Sequence, residues 1–338
     1  MAVLLIAIPL MVAFISILNK KFAFYLLALV AAFNVVMTLF LEKGLVSIGG
    51  FGPFGINLLV DQYALIALVI VNVLFFLPIM INMKSSKKLA TVLIVLLAGL
   101  NGLILTNDLF NLFVFLEITG ISAYLLTTEN NKPMSSFNYL VQGTVGSGLY
   151  LLGLIILYSM IGTLSMTESI GRIFMGGVSQ ANLLLPFMLM FIGLGVEAKL
   201  LPFNSWVKGV LEKAKPLSGT LIASVIAAAI LFVFGRLLTT VMVLSAGGTL
   251  LTVLLVATMV AGELAAFKST KIREILLFSS VGQAGLVIYL FVHGYLLQAI
   301  LLVIANVLSK FVLFLVGSTI AEEAGTDELN DLKGVFRN

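Results

Sequence analysis

The chain is predicted to be an all-α polytopic membrane protein with about eleven transmembrane helices, and three observations carry that prediction. Apolar residues make up 61% of the 338 positions, only 10% are charged, and the mean hydropathy is +1.20, whereas a soluble domain carries about 25% charged residues. Apolar runs of about 18 residues or more recur along the chain, each long enough to cross roughly 30 Å of hydrocarbon. Short polar stretches rich in Lys, Asn, Gly and Pro separate the runs.

In chain order the expected spans are 2–18, 22–41, 61–82, 89–106, 109–128, 137–161, 183–207, 217–241, 247–266, 275–292 and 296–320. The first lacks both the basic lead and the A-x-A site of a cleaved signal, so it is expected to stay as a helix. "NKK" (19–21) ends it, "GGFGPFG" (49–55) precedes the third, and "NMKSSKK" (82–88) separates the third from the fourth. Asp108, in "TNDLFNL", is placed to cap the fifth. "TENNKP" (128–133) closes the fifth and "EKAKP" (212–216) the seventh. In the sixth, Gly143, Gly146 and Gly148 read as close helix packing.

Alternate loops differ sharply in basic charge. One side receives Lys20, Lys21, Lys84, Lys87, Lys88, Lys132, Lys208, Lys213, Lys215, Lys268, Lys271, Arg273, Lys333 and Arg337; the other receives Lys43, Arg172 and Arg236. The positive-inside rule then puts the N-terminus outside and the C-terminus in the cytoplasm. One missed helix would scramble this asymmetry, so it also supports the span count. The mild net charge of +4 is absorbed by this orientation, and no basic stripe with interleaved aromatics points to nucleic acid. With no cysteine and one histidine (His293, in an outer loop), the chain is expected to hold no iron–sulfur, haem or zinc cofactor.

Ionisable residues lie near mid-depth in three spans: Glu117 in the fifth, Glu197 and Lys199 in the seventh ("GLGVEAKLLPFNSW", 193–206), and Lys310 in the eleventh. Each costs about 2.5–3.5 kcal/mol at the centre of a helix. Glu263 sits nearer the cytoplasmic end of the ninth span. Such charges either pair to lock helices together or relay protons. Pro202 breaks the seventh helix beside Glu197 and Lys199 and frees a carbonyl near Ala198, and broken helices at membrane depth are tolerated where they line a polar cavity. A Glu–Lys pair that can separate is a switch, and Glu117 with Lys199 is the expected pair.

Four motifs, "NDLFNLFVFLEI" (107–118), "GVEAKLLPFNSWV" (195–207), "KIREILLFSSVGQAG" (271–285) and "NVLSKFVLFLVGSTI" (306–320), resemble the antiporter-like membrane subunits of respiratory complex I, Mrp-type sodium/proton antiporters and membrane-bound hydrogenases. The resemblance implies a fold of two inverted repeats. Here residues 1–88 would form three N-terminal helices, 89–241 the first five-helix repeat, 242–320 a partial second repeat and 321–338 an acidic cytoplasmic tail. Glu117 falls where the family has its fifth-helix glutamate, Lys310 on the lysine of "FFKALLFL", and Arg273 on the basic residue before "LLAYSS". The family's seventh-helix lysine sits five residues before the proline of "PFHxW", where this chain has Glu197; Lys199 is three before it. Near position 228 the chain has alanine where many members carry Lys or His, and it stops where they continue into a further broken helix.

The resemblance implies a proton- or sodium/proton-translocating subunit of a multisubunit redox complex. Glu117, Lys199, Lys310 and Glu197 would form its pathway, with Arg273 and Glu263 as accessories. Redox subunits would lie elsewhere in the complex, and another membrane chain would pack on the eleventh helix near Lys310. A non-conducting structural or assembly subunit is the alternative. On the expected topology, a cysteine replacing Ser85 should be labelled by impermeant reagents only from the cytoplasmic side, and one replacing His293 only from outside; labelling of the Ser85 site in intact cells would overturn it.

Overall fold

The structure is a computed structural model that describes residues 1–50, 55–128, 133–212, 214–242 and 248–332. Lys132, Lys213, Lys333 and Arg337, counted in the charge asymmetry, lie outside the described residues, as does the last part of the expected tail.

Among the described residues, the apolar runs form helices α1 (Leu4–Leu18), α2 (Ala23–Leu39), α3 (Gln62–Ile81), α5 (Ala90–Leu105), α6 (Leu109–Thr127), α7 (Pro133–Ile161), α9 (Gln180–Glu197), α13 (Gly248–Lys268), α14 (Ile272–Val292) and α15 (Leu296–Ala324). The eighth run forms α11 (Pro216–Thr220), a π-helical stretch (Leu221–Ile226) and α12 (Ala227–Thr240). Among the described residues, eight helical stretches are long and apolar enough to cross a membrane, and Leu4–Leu18, Ala23–Leu39 and Ala90–Leu105 are shorter apolar helices. The chain is a multi-pass membrane protein.

Capping starts two helices, at Asp108 as the sequence suggests and at Asp61, which the sequence reading did not single out. Asp61 accepts a hydrogen bond from the Ala64 N–H at 2.7 Å and Asp108 from the Asn111 N–H at 2.7 Å, each satisfying an orphan donor of the first turn. α15 runs past its expected end at 320 and stops at Gly325, whose φ of 69° is the left-handed cap that glycine adopts without strain. Three elements were not anticipated: a hairpin of β1 (Gly44–Ile48) with β2 (Ile56–Val60), a short helix α4 (Met83–Lys88), and the amphipathic α8 (Met166–Met175). All three lie between spans, where the apolar runs give no periodic signal.

The α11–α12 stretch is almost wholly buried and forms the centre of the bundle. Arg236, counted with the outer loops, is buried within α12. Its guanidinium binds Asp61 at 2.7 Å and donates to the Ile104 carbonyl at 2.9 Å, which ties the central helix to α3 and α5. In the N-terminal bundle, Asn72 and Asn101 exchange amide hydrogen bonds at 2.8 and 3.2 Å across α3 and α5, polar glue in an apolar medium.

α7 packs closely on α9 through small residues. A Cβ on Gly193 would come 2.5 Å from the Gly146 carbonyl, and one on Gly146 would meet Val196 at 3.0 Å. Gly146 thus serves the expected packing, whereas Gly148 faces open space and Gly143 meets the Glu197 carboxylate instead. Gly193→Ala should destabilise the folded chain by about 1–3 kcal/mol through overpacking, read as a lowered thermal midpoint in detergent; Gly148→Ala should leave it unchanged.

Candidate functional site

The seventh expected span is two helices. α9 ends at Glu197 and α10 (Ser205–Leu211) begins after a turn. Lys199 turns the chain with φ 65°, and Pro202 follows. The turn satisfies its own backbone: Ala198 N–H donates to the Leu194 carbonyl at 2.8 Å and Leu200 N–H to that of Gly195 at 2.8 Å. The Val196 carbonyl accepts from the Lys199 N–H at 3.2 Å and from the Trp206 indole N–H at 3.1 Å. Leu201 N–H donates to Thr258 Oγ1 of α13 at 3.2 Å. The interruption begins at residue 198, ahead of Pro202, and the carbonyl with a side-chain partner is that of Val196 rather than Ala198.

On one side of the break lies a cavity whose lining includes Glu117, Glu197, Tyr139, Thr144 and Ser147. Ser147 Oγ donates to Glu117 Oε1, and the Tyr139 hydroxyl donates to Glu197 Oε2 at 3.4 Å. Gly120 and Gly143 make room for the second carboxylate, since a Cβ at 143 would approach Glu197 Oε1 to 3.1 Å. Ile121 and Thr144, on the rim, are exposed on the side of the bundle. Glu197 is half-buried.

A second cavity lies beyond Glu197, lined by that residue, Lys199, Ser280 and Asn306, with Ala223 and Ala227 among its apolar walls. Lys199 and Lys310 are each only 3% exposed. Among the described residues neither ammonium group has a hydrogen bond or an ion pair within the chain. Asn306 Oδ1 is buried without a hydrogen-bond partner. Glu197 is in electrostatic reach of both Glu117 and Lys199, Lys199 of Lys310, and Lys310 of Glu263.

Glu117 and Lys199 therefore do not form the expected pair; Glu117 shares its cavity with Glu197. Residues two apart on a helix point about 200° apart, and the left-handed turn at Lys199 sends its side chain to the far side of the break. Lys310 faces its own bundle, and the carboxylate it senses is the chain's own Glu263, which lies exposed on α13 over Gly282. Arg273 enters neither of these two cavities. It binds Asp327 at 3.4 Å and the Ser318 carbonyl at 3.2 Å, and so pins the segment after α15 to the start of α14. Tyr139, Ser147, Ser280 and Asn306 escaped sequence reading. Their only signal is an uncharged polar group inside an apolar run, with Asn306 one turn before Lys310. Among the described residues no group of three or more His, Cys, Asp or Glu is arranged to hold a metal ion.

Residues 106–338 match the family described as NADH:quinone oxidoreductase/Mrp antiporter, transmembrane. The chain belongs to that family. It is an antiporter-like membrane subunit, 25% identical over 320 residues to a subunit of the Na(+)/H(+) antiporter of Bacillus subtilis, covering 90% of this chain and 64% of that one. It is 28% identical over 251 residues to a subunit of the NADH-quinone oxidoreductase of Desulforudis audaxviator, covering 71% and 50%. The chain thus spans half to about two thirds of the length of these curated relatives. Its fold also superposes, with a TM-score of 0.86 at 27% identity, on a chain of the membrane-bound sulfane sulfur reductase, an archaeal respiratory membrane complex, covering 98% of this chain and 73% of that one.

The hydrogen bond from Leu201 to Thr258 is the side-chain tie between the break and α13. Thr258→Val keeps the shape but leaves a buried N–H without a partner, at about 1–3 kcal/mol. Amide exchange at Leu201 should accelerate in that variant while exchange in α7 stays unchanged.

Proposed function

We propose that this subunit translocates protons, or sodium in exchange for protons, within a multisubunit membrane complex whose redox chemistry belongs to other chains. The observation that carries the proposal is the line of ionisable groups Glu117, Glu197 and Lys199, joined through two cavities that share Glu197 and continued by Lys310 and Glu263 within electrostatic reach. A buried ion without a partner is costly. A proton held between Glu117 and Glu197 neutralises one carboxylate, and transfer toward Lys199 changes the charge that Lys310 feels. Each step thus biases the next by Coulomb interaction through a medium of low dielectric.

The pathway uses Glu117, Glu197, Lys199 and Lys310, with eleven crossings, the N-terminus outside and the C-terminus cytoplasmic. Glu263 receives the far end, and Arg273 holds that end of the bundle in register. A neighbouring membrane chain would seat on the α13–α15 face, whose apolar side chains include Phe267 at 92% exposure and Leu301 at 58%. It would cover Glu263, which is otherwise exposed on α13. Curated relatives named as subunits of Na(+)/H(+) antiporters and quinone oxidoreductases support such an assembly. The alternative, a non-conducting structural subunit, draws on the alanines at 223, 227 and 228 in the buried central helix, which put no ionisable side chain beside Lys199 from that helix.

Glu117→Gln, Glu197→Gln, Lys199→Met and Lys310→Leu should each lower ion translocation by the assembled complex in sealed vesicles by about tenfold or more, while electron transfer persists in part. If all four variants assemble and translocate at the normal stoichiometry, the structural alternative holds.

A further inference from the structure

Glu197 lines both cavities, and three elements converge on it. Tyr139 of α7 reaches the carboxylate with its hydroxyl at 3.4 Å. That is long for an O–H···O bond to a carboxylate, so it is a hold that the side chain can leave. The Tyr139 ring stacks on that of Trp206, with centroids 4.2 Å apart and an interplanar angle of 21°. Trp206 belongs to α10, beyond the break, and its indole N–H returns to the Val196 carbonyl at 3.1 Å, next to Glu197 in the chain. Both rings are only 2% exposed. α10 is fixed to α7 a second time, by Ser205 Oγ donating to Gln142 Oε1 at 3.0 Å.

These contacts close a loop from Glu197 through Tyr139 and Trp206 to the peptide preceding Glu197. We propose that Tyr139 and Trp206 act as an aromatic lever that sets which cavity the Glu197 carboxylate faces. With the lever seated, the Tyr139 hydroxyl holds the carboxylate toward Glu117. When α10 shifts, the stack carries Tyr139 with it and Glu197 turns toward Lys199. Stacked rings suit this task because they transmit displacement as rigid plates, and a buried pair is held together by more than its burial alone. Both are positioning residues: neither takes up the transported ion, and their effect runs through Glu197. The proposal rests on the reading of Glu197 as an ion carrier.

Trp206 is the chain's single tryptophan, which makes the lever visible. In the purified full chain in detergent, tryptophan emission should show a step with pH as Glu197 gains its proton. Glu197→Gln should remove that step, and so should Tyr139→Phe, which keeps the stacked ring and deletes only the hydroxyl. In the assembled complex, Tyr139→Phe should slow translocation by about tenfold, the scale of one lost hydrogen bond to a charged group. Trp206→Phe, which keeps a stacking ring and deletes the N–H, should slow it in the same direction. A wild-type chain without the pH step, or a step that survives Tyr139→Phe, would overturn the lever. Slow translocation in Glu197→Gln with normal rates in Tyr139→Phe and Trp206→Phe would overturn the lever alone. Normal translocation in Glu197→Gln would bring down the carrier reading itself.

Discussion

A helix interrupted inside hydrocarbon must find partners for the backbone groups it releases, because no water is there to take them. The turn between Glu197 and Ser205 meets that demand with groups from three places. Its own chain supplies the Leu194 and Gly195 carbonyls, α13 supplies Thr258, and α10 folds back Trp206. The interruption is thereby bound to its neighbours on both sides, and the close glycine contact of α7 with α9 holds the upstream half in place. The positions of Glu197 and Lys199 follow from this turn. Glu197 ends the upstream helix and faces α6 and α7; Lys199 leaves the turn toward α12, α14 and α15.

The turn sets Glu197 and Lys199 in the middle of a row of charges across the bundle. Two carboxylates stand together, then two ammonium groups, then a third carboxylate. Within each like pair, the charges destabilise one another, and relief comes from the neighbouring pair or from a proton. A Glu–Lys pair in direct contact would be a stable sink. The arrangement here keeps Glu197 and Lys199 on either side of the point where the helix ends, so under the proposed function exchange between them would be tied to the turn's geometry. The rigid surroundings suit that role: Arg236 anchors the central helix to α3 and α5, and the reciprocal Asn72–Asn101 pair stiffens the N-terminal bundle.

Much of this was legible in the sequence, for identifiable reasons. Long apolar runs set the helices to within a few residues, since the bilayer demands length and hydrophobicity whatever the packing. Asp108 shows how a short capping signal survives in such a chain. The buried charges stood out by cost alone, and the family motifs gave their order. What was hidden depends on direction rather than composition. The pairing of Glu117 with Glu197, rather than with Lys199, follows from a left-handed residue that no propensity marks at a lysine. Gly143 and Gly146 look alike in the chain, yet one makes room for a carboxylate and the other for a helix. The π-helical stretch in the central span shifts which faces its alanines present, and an apolar run carries no trace of it.

The exchange at the seventh span is where this chain departs most from the pattern its motifs resemble. A lysine five residues before the proline would face Glu117 directly. Here that place holds glutamate, and the lysine stands two residues on, beyond the point where the helix ends. Moving a charge by two residues along an unbroken helix would turn it to the opposite face and strand it among apolar groups. Because the helix ends at 197, the displaced lysine instead enters a polar cavity with Ser280 and Asn306. The alanines of the central helix then have a physical role of their own. By leaving volume beside Lys199 in place of a third buried cation, they spare the site an additional like charge next to Lys199 and Lys310. The displaced lysine of the seventh span and the small residues of the eighth thus line one cavity, and the two spans meet there as a unit.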